Sequence, residues 1–187
     1  SSRLVHKLRI EEAIVNGTGA FTFTPQDDGL LAFSSSLQAV NLEKYFTTLA
    51  EEIADIYHNP PSADEIQKAI TNLASEQVYS VETVDGLARK AGSSEFYMGD
   101  SEYFEKYLAA IYKIKPADIM KLAKKYFDPS KITVTVLSKR DEKEVKTLVA
   151  GFIKQLKAAL KNKKLIKPKT KFKEKKMTTL KFKHDLG

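Results

Sequence analysis

The sequence has no cysteine and no tryptophan, and it has only three histidines. The missing cysteine excludes a disulfide framework, a thiolate metal site and a cysteine nucleophile, and it leaves the redox compartment open. Nowhere does the chain approach the ~18 uninterrupted apolar residues of a membrane span, and no apolar segment follows a basic start as in a signal peptide. The opening Ser1-Ser2-Arg3 lacks an initiator Met. We therefore expect a soluble piece of a longer polypeptide, without a transmembrane segment.

The few histidines also bear on metal chemistry. A catalytic zinc site needs at least two imidazoles within reach of one ion, as in His-x-x-x-His on one helix face. His6, His58 and His184 fall on different predicted elements, and none has a second histidine within a turn. The sequence therefore predicts no metal ligands, no catalytic residues and no cofactor in this chain.

What the chain does have is enough apolar content for a core and a very uneven charge. With 187 residues, 42% of them hydrophobic, one domain can bury roughly 70% of the surface that the unfolded chain exposes. The formal net charge is +7, but residues 154–187 hold 13 lysines against Glu174 and Asp185. Residues 1–153 hold 18 Lys and Arg against 22 Asp and Glu, so the globular body is mildly acidic.

The pattern of apolar residues and breakers predicts an α+β fold. A short N-terminal helix precedes a hairpin, in which residues 21–24 alternate and Leu30–Leu37 returns after a Pro-Asp-Gly-rich turn. Helices follow from Asn41, expected as a cap, and from the capping box Ser62-Ala63-Asp64-Glu65. Three more are predicted around residues 83–96, 101–113 and 116–127. Pro116 is expected in the first turn of the last one, where its missing N–H would be unpaired anyway. The fold class is thus an antiparallel or mixed sheet covered by helices.

The C-terminal part predicts a boundary. Residues 132–137 are β-branched and favour a central strand with both faces covered, and Asp141 caps a helix that reaches residue 160. Residues 161–176 are lysine-rich and lose the periodicity, whereas 177–187 begin to alternate again. The predicted organisation is one domain over 1–160, a linker over 161–176, and the first strand of a following domain over 177–187.

The lysine-rich tail allows one different function. Many lysines give salt-dependent affinity for nucleic acid or anionic lipid. Proteins that recognise nucleic-acid sequence or shape more often contain arginine as well, because its planar guanidinium makes bidentate hydrogen bonds. This tail has many lysines and no arginine. A solvated linker is the favoured interpretation, and a nucleic-acid or membrane-surface module is the less favoured one.

Several short segments, in this order and spacing, resemble the pitrilysin/insulinase-type zinc metallopeptidases. They comprise Ser2-Arg3-Leu4 with Leu8-Arg9, Asp28-Gly29 before the strand 30–36, Asn41-Leu42-Glu43, Ser62-Ala63-Asp64-Glu65-Ile66, Val84-Asp85-Gly86-Leu87-Ala88, Ala117-Asp118-Ile119, and Ala123-Lys124-Lys125-Tyr126-Phe127 before the strand 132–137. The resemblance covers most of residues 1–160.

The resemblance implies a larger architecture. Such peptidases have two halves, each with two α+β subdomains of two-layer sandwich form, which close around an unfolded peptide. The zinc motif His-x-x-Glu-His lies in the first subdomain of the first half. This sequence lacks that motif and resembles the non-catalytic, inactive type of subdomain. The implied partners are the zinc-bearing subdomain and the second half of the same polypeptide, with zinc as the cofactor of the parent protein.

One residue is implied as a substrate contact. In some relatives the equivalent subdomain of the second half offers the substrate an Arg and, seven residues later, a Tyr. Arg9 matches the Arg, whereas the Tyr position holds Asn16. The departure favours placement in the first half and leaves Arg9 as the single candidate for substrate binding.

The function expected from this resemblance is a non-catalytic scaffold and substrate-chamber subdomain of a zinc-dependent endopeptidase that hydrolyses peptides, bacterial in style. An inactive homologue, or a subunit of a processing-peptidase-type complex, is the alternative, and a homo- or heterodimer is left open. The periplasm or cell envelope is expected rather than the cytoplasm.

Overall fold

The computed structural model describes residues 2–25 and 27–162, so the predicted linker beyond Asn162 and the predicted strand after it lie outside the described residues. The described part is mostly helical with a two-stranded antiparallel sheet, which confirms the predicted α+β class. An N-terminal π-helix is followed by the strands and then by six α-helices. The elements are the π-helix Val5–Glu11, β1 Gly17–Phe23, β2 Leu30–Ser36, α1 Leu42–His58, α2 Ala63–Tyr79, α3 Val84–Met98, α4 Tyr103–Ile111, α5 Pro116–Tyr126 and α6 Glu142–Lys161.

The two strands form the predicted hairpin. Their register runs from the pair Gly17 and Ser36 to the pair Phe23 and Leu30. The turn ends at Gly29, where a Cβ would lie 2.4 Å from the Phe23 carbonyl oxygen, so only glycine fits this close approach. Because side chains alternate across a strand, Phe33 faces the core while Phe23 and Leu30 are exposed on the other side. The hairpin therefore buries one face only.

The hydrophobic core lies between the N-terminal helix, α1 and α6. Leu8 is completely buried there, and the rings of Phe46 and Phe152 stack with their centroids 4.9 Å apart. Apolar side chains recur at three- and four-residue spacing in α1 and α6, so each helix turns one continuous face inward. This pairing joins residues that are about a hundred positions apart in the chain and positions the N-terminal helix against α1.

Local sequence signals begin and end the outer helices. Ser62 and Glu65 form the predicted capping box of α2, and Asp141 accepts hydrogen bonds from the first amides of α6. Pro116 stands in the first turn of α5, as predicted. Gly99 ends α3 with φ of 65°, in the left-handed region that glycine adopts without steric cost. These ends were predictable because each depends on neighbouring residues.

The predicted central strand over residues 132–137 is wrong in two respects, because the segment pairs with neither described strand and only one of its two sides is covered. It is irregular in the structure and has only one covered side. The inward residues Ile132, Val134 and Val136 are half-buried against the core, whereas Leu137 is fully exposed. The β-branched composition predicted two covered faces and a paired strand, but burial and pairing both depend on neighbouring segments that local sequence does not specify.

The predicted capping role of Asn41 is also wrong. Asn41 stands at the N-terminal boundary of α1, but its side chain makes no capping hydrogen bond to that helix. Its Nδ2 donates instead to the Ile14 carbonyl oxygen, at 3.2 Å. This tertiary hydrogen bond to the segment after the N-terminal helix takes the place of the expected capping hydrogen bond, because the Asn41 side chain bonds to the partner that the fold brings within reach.

Candidate functional site

The two described histidines lie on different elements, and each contacts a protein oxygen atom. His6 Nδ1 is 3.3 Å from a carboxylate oxygen of Glu11 within the N-terminal helix. His58 Nε2 lies 2.9 Å from the Ala159 carbonyl oxygen and donates to it, which ties the end of α1 to the end of α6. His184 lies outside the described residues. Within residues 2–25 and 27–162, no group of three or more His, Asp and Glu side chains is placed to hold a metal ion.

Arg9, the predicted substrate contact, is exposed in the last turn of the N-terminal helix. Its side chain makes no ion pair with any described residue, so its charge is available to solvent or to a ligand. Asn16 is also exposed, and its backbone amide donates to the Ser36 carbonyl oxygen at 2.8 Å. The position of Arg9 permits a substrate contact, and that role stays a prediction.

The most organised polar group joins the N-terminal helix to α1 and α2. Arg3 donates from Nη1 to Asp55 Oδ2 at 2.7 Å, and from Nε and Nη2 to the two carboxylate oxygens of Glu65 at 2.6 and 2.7 Å. The Asp55 side chain is 8% exposed and Arg3 22%. Asn59 Nδ2 donates to the second oxygen of Asp55 at 2.8 Å. We call Arg3, Asp55 and Glu65 the Arg3 junction; its bidentate Arg3–Glu65 pair has the geometry of a strong, charge-assisted link.

The Arg3 junction changes the acidity of Glu65. Hydrogen bonds from the Arg3 guanidinium are the main cause, and the Ser62 backbone amide adds to them; together they lower the pKa of Glu65 to about 2 against the opposing effect of partial burial. The same carboxylate thus completes the capping box of α2 and holds Arg3. Ionised Glu65 is therefore favoured by the folded state.

This lowered pKa sets the direction of a pH effect. Between about pH 4.5 and 2 the unfolded chain binds a proton at Glu65 that the folded chain does not, so the stabilisation is complete above pH 4.5 and is lost as pH falls toward 2. We expect Glu65→Gln to be less stable than the parent chain near neutral pH and to lose less stability on acidification. Urea unfolding over this pH range measures both effects.

Glu76→Gln is the matched control, because Glu76 is exposed on the same helix and makes no ion pair with a described residue. Its acid dependence should follow that of the parent chain. An unchanged acid slope for Glu65→Gln would contradict the assignment of the shift to the Arg3 junction.

A second feature is the apolar surface of α3. The side chains of Val84 and Phe96 are 88% and 81% exposed, and Leu87, Tyr97 and Met98 are exposed as well. Only Ser94 of this helix is buried. A helix that exposes large apolar groups on more than one side is typical of a segment that packs against another protein surface. We call these five apolar residues the α3 surface.

Sequence reasoning missed both features in part. Arg3 stands in the segment Ser2-Arg3-Leu4, which carries part of the family resemblance, but no local pattern gives it a partner, although the capping box around Glu65 is predicted. The available signal was the Glu65 carboxylate in the capping box, because a carboxylate at a helix N-terminus can form an ion pair with a nearby cation. The exposure of α3 could not be inferred, because its apolar spacing is equally typical of a core helix.

Comparison with known proteins shows a family similarity in the N-terminal part of the chain. The sequence model described as the peptidase M16 inactive domain matches residues 1–73. Among solved structures, the inactive peptidase domain of a protein described as a zinc protease from Bordetella parapertussis is 22% identical, with a TM-score of 0.60 over 76% of this chain and 78% of that chain. At this identity the likeness concerns the fold. No curated protein matches significantly. The predicted resemblance to the inactive-type peptidase subdomain is confirmed over residues 1–73, and the solved structure supports the fold.

Proposed function

We propose, from the premise that residues 1–73 match the inactive domain of the peptidase M16 family, that this chain is a scaffold subdomain that forms part of the substrate chamber in a zinc-dependent endopeptidase. The match over residues 1–73 is the observation that carries the proposal. The hydrolytic chemistry is assigned to a zinc-bearing subdomain elsewhere in the parent polypeptide, where the metal would activate water and a glutamate would act as general base.

The α3 surface supports a docking role for the chain. Exposed apolar side chains of this size favour burial against a partner, because each carries a hydrophobic driving force of about 25 cal/mol per Å² removed from water. We assign this surface to contact with the zinc-bearing subdomain of the same polypeptide. Arg9, exposed in the N-terminal helix, is the proposed contact to the peptide substrate.

The test is reconstitution. The chain is expressed alone and together with the subdomain encoded immediately upstream in the parent gene, and each preparation is assayed for zinc and for cleavage of a quenched fluorescent peptide. We expect the chain alone to have neither stoichiometric zinc nor peptidase activity. We expect the co-expressed pair to copurify and to cleave the peptide in a zinc-dependent manner.

Two variants sharpen this experiment. Val84→Ser with Phe96→Ser should weaken copurification, because it removes the two most exposed large side chains of the α3 surface. Val40→Ser is the control, since Val40 is 71% exposed but lies before α1. Near-equimolar zinc in the chain alone would overturn the proposal. An upstream segment without His-x-x-Glu-His would favour the alternative of an inactive homologue.

A further inference from the structure

Asn16 and Gly17 form the single Asn-Gly pair of the sequence. In such a pair the backbone nitrogen of the glycine can attack the side-chain amide carbon of the asparagine, because glycine has no Cβ to hinder the approach and lets the backbone rotate widely. The structure places the pair where the chain enters the hairpin. Asn16 is exposed at a bend, and Gly17 is half-buried as the first residue of β1.

The contacts of this pair leave the reacting groups accessible. The backbone amide of Asn16 donates to the Ser36 carbonyl oxygen at 2.8 Å, but its side-chain amide makes no hydrogen bond with a residue that the structure describes. Gly17 stands at the end of the strand pair, opposite Ser36. Strand ends open more easily than strand centres, because fewer contacts hold them. The Gly17 nitrogen can therefore reach the side chain without unfolding of the core.

The other four asparagines lack this combination. Asn41 and Asn59 use their side chains in hydrogen bonds, and the proline after Asn59 has no N–H to lose. Asn72 lies inside α2, where the helical backbone is held by its own hydrogen bonds. Asn162 is followed by a lysine, whose Cβ hinders the attack. Asn16 is thus the asparagine of this chain best suited to react with its own backbone.

We propose that Asn16 is a site of spontaneous deamidation, with water as the co-reactant. The Gly17 nitrogen gives its proton to a solvent base and attacks Cγ of Asn16, which closes a five-membered succinimide. The side-chain nitrogen takes up a proton and leaves as ammonia. Water then breaks one of the two ring C–N bonds, and the product is aspartate or isoaspartate. The inference is independent of the proposed function, because it needs neither zinc nor a partner.

The two products differ in their main chain. Aspartate keeps the native backbone and adds one negative charge. Isoaspartate routes the chain through its side-chain carbons, so one extra carbon atom separates the backbone nitrogens of residues 16 and 17. Buried Ile14 and Val15 fix the chain immediately before this point, and Ser36 pairs with Gly17 immediately after it. The extra atom therefore has to be accommodated by the hairpin, and we expect isoaspartate, but not aspartate, to loosen it.

The test is an incubation of the full chain at mildly alkaline pH, followed by proteolytic peptide mapping with mass spectrometry. We expect the peptide that contains Asn16 to gain the mass difference between an amide and an acid and to separate into two isomers. The peptides that contain the other asparagines should stay unchanged. The rate should rise with pH, since the Gly17 nitrogen must lose its proton. In the isoaspartyl fraction, hydrogen exchange should be faster over residues 17–23 and 30–36.

Two glycine variants test the attacking atom. Gly17→Ala should slow the deamidation on the order of tenfold, because the added methyl group hinders the attack and restricts the backbone. It fits the strand, since a Cβ at this position would lie 3.6 Å from Ser36 Oγ. Gly19→Ala is the matched control, because it makes the same change on the same face of β1 with no atom within 4 Å of the added Cβ. This control should deamidate at the rate of the parent chain.

Three results would overturn the inference. One is an unchanged Asn16 in the folded chain under conditions in which a synthetic peptide of residues 13–20 deamidates, because the hairpin would then protect the site. Another is equal slowing by the two glycine variants, which would show that attack by the Gly17 nitrogen does not limit the rate. The third is equal hydrogen exchange of the hairpin in the aspartyl and isoaspartyl fractions.

Discussion

Phe152→Ala is expected to lower the free energy of unfolding by about 3–5 kcal/mol, the usual range for removing a buried phenylalanine. Phe152 is 4% exposed and stacks on Phe46 where α6 crosses α1. Its removal costs the transfer free energy of the ring and leaves a cavity between two helices that neighbouring side chains fill only in part. Urea unfolding followed by circular dichroism measures the difference.

Phe96→Ala is the matched control, because it deletes the same side chain from a position that is 81% exposed on α3. We expect a change below about 0.5 kcal/mol for this variant in the isolated chain. Similar losses in the free energy of unfolding for Phe152→Ala and Phe96→Ala would contradict the assignment of the hydrophobic core to the interface between α1 and α6.

Arg3→Met is expected to lower the free energy of unfolding by about 2–3 kcal/mol, because it removes the cation that donates a hydrogen bond to the buried Asp55 carboxylate. Methionine keeps much of the apolar stem, so the loss reports mainly the charge and its hydrogen bonds. The estimate lies below the range for fully buried pairs, since Glu65 is 42% exposed and water can replace part of that contact.

Arg89→Met serves as the control for Arg3→Met. Arg89 pairs with Asp85 at 2.8 Å, but both side chains are largely exposed on α3, so the expected loss is about 0.3–0.5 kcal/mol. Adding Asp55→Asn to Arg3→Met should recover part of the stability by removing the buried negative charge with which Arg3 pairs in the parent chain. Equal effects of Arg3→Met and Arg89→Met would show that the Arg3 junction is no stronger than a surface ion pair.

Helix ends were the part of the fold most open to prediction. The Ser62 and Glu65 box, the Asp141 cap and the Pro116 start were all inferred from a few adjacent residues and are all confirmed. Asn41 shows the limit of this reasoning. Its residue type favours a cap, but the fold brings the Ile14 carbonyl oxygen within reach and the side chain donates there instead.

The candidate sites were less predictable, because each depends on residues that are far apart in the chain. Arg3 meets Asp55 and Glu65 only after the N-terminal helix has packed on α1. Residues 132–137 have a strand composition, yet the structure leaves them without a described partner. Neither outcome follows from a local pattern, since pairing is decided by which segments become neighbours.

The sequence by itself determined the α+β class, the helix boundaries set by caps and breakers, the acidic body with its lysine-rich end, and the resemblance to an inactive peptidase subdomain. Only the tertiary structure decided that Arg3 meets Asp55 and Glu65, that Phe46 stacks on Phe152, and that α3 exposes its apolar side chains within the part of the chain that the structure describes. The physical reason is range. Caps and periodicity act within one or two helical turns, whereas burial and ion pairing depend on contacts that exist only once distant segments have packed together.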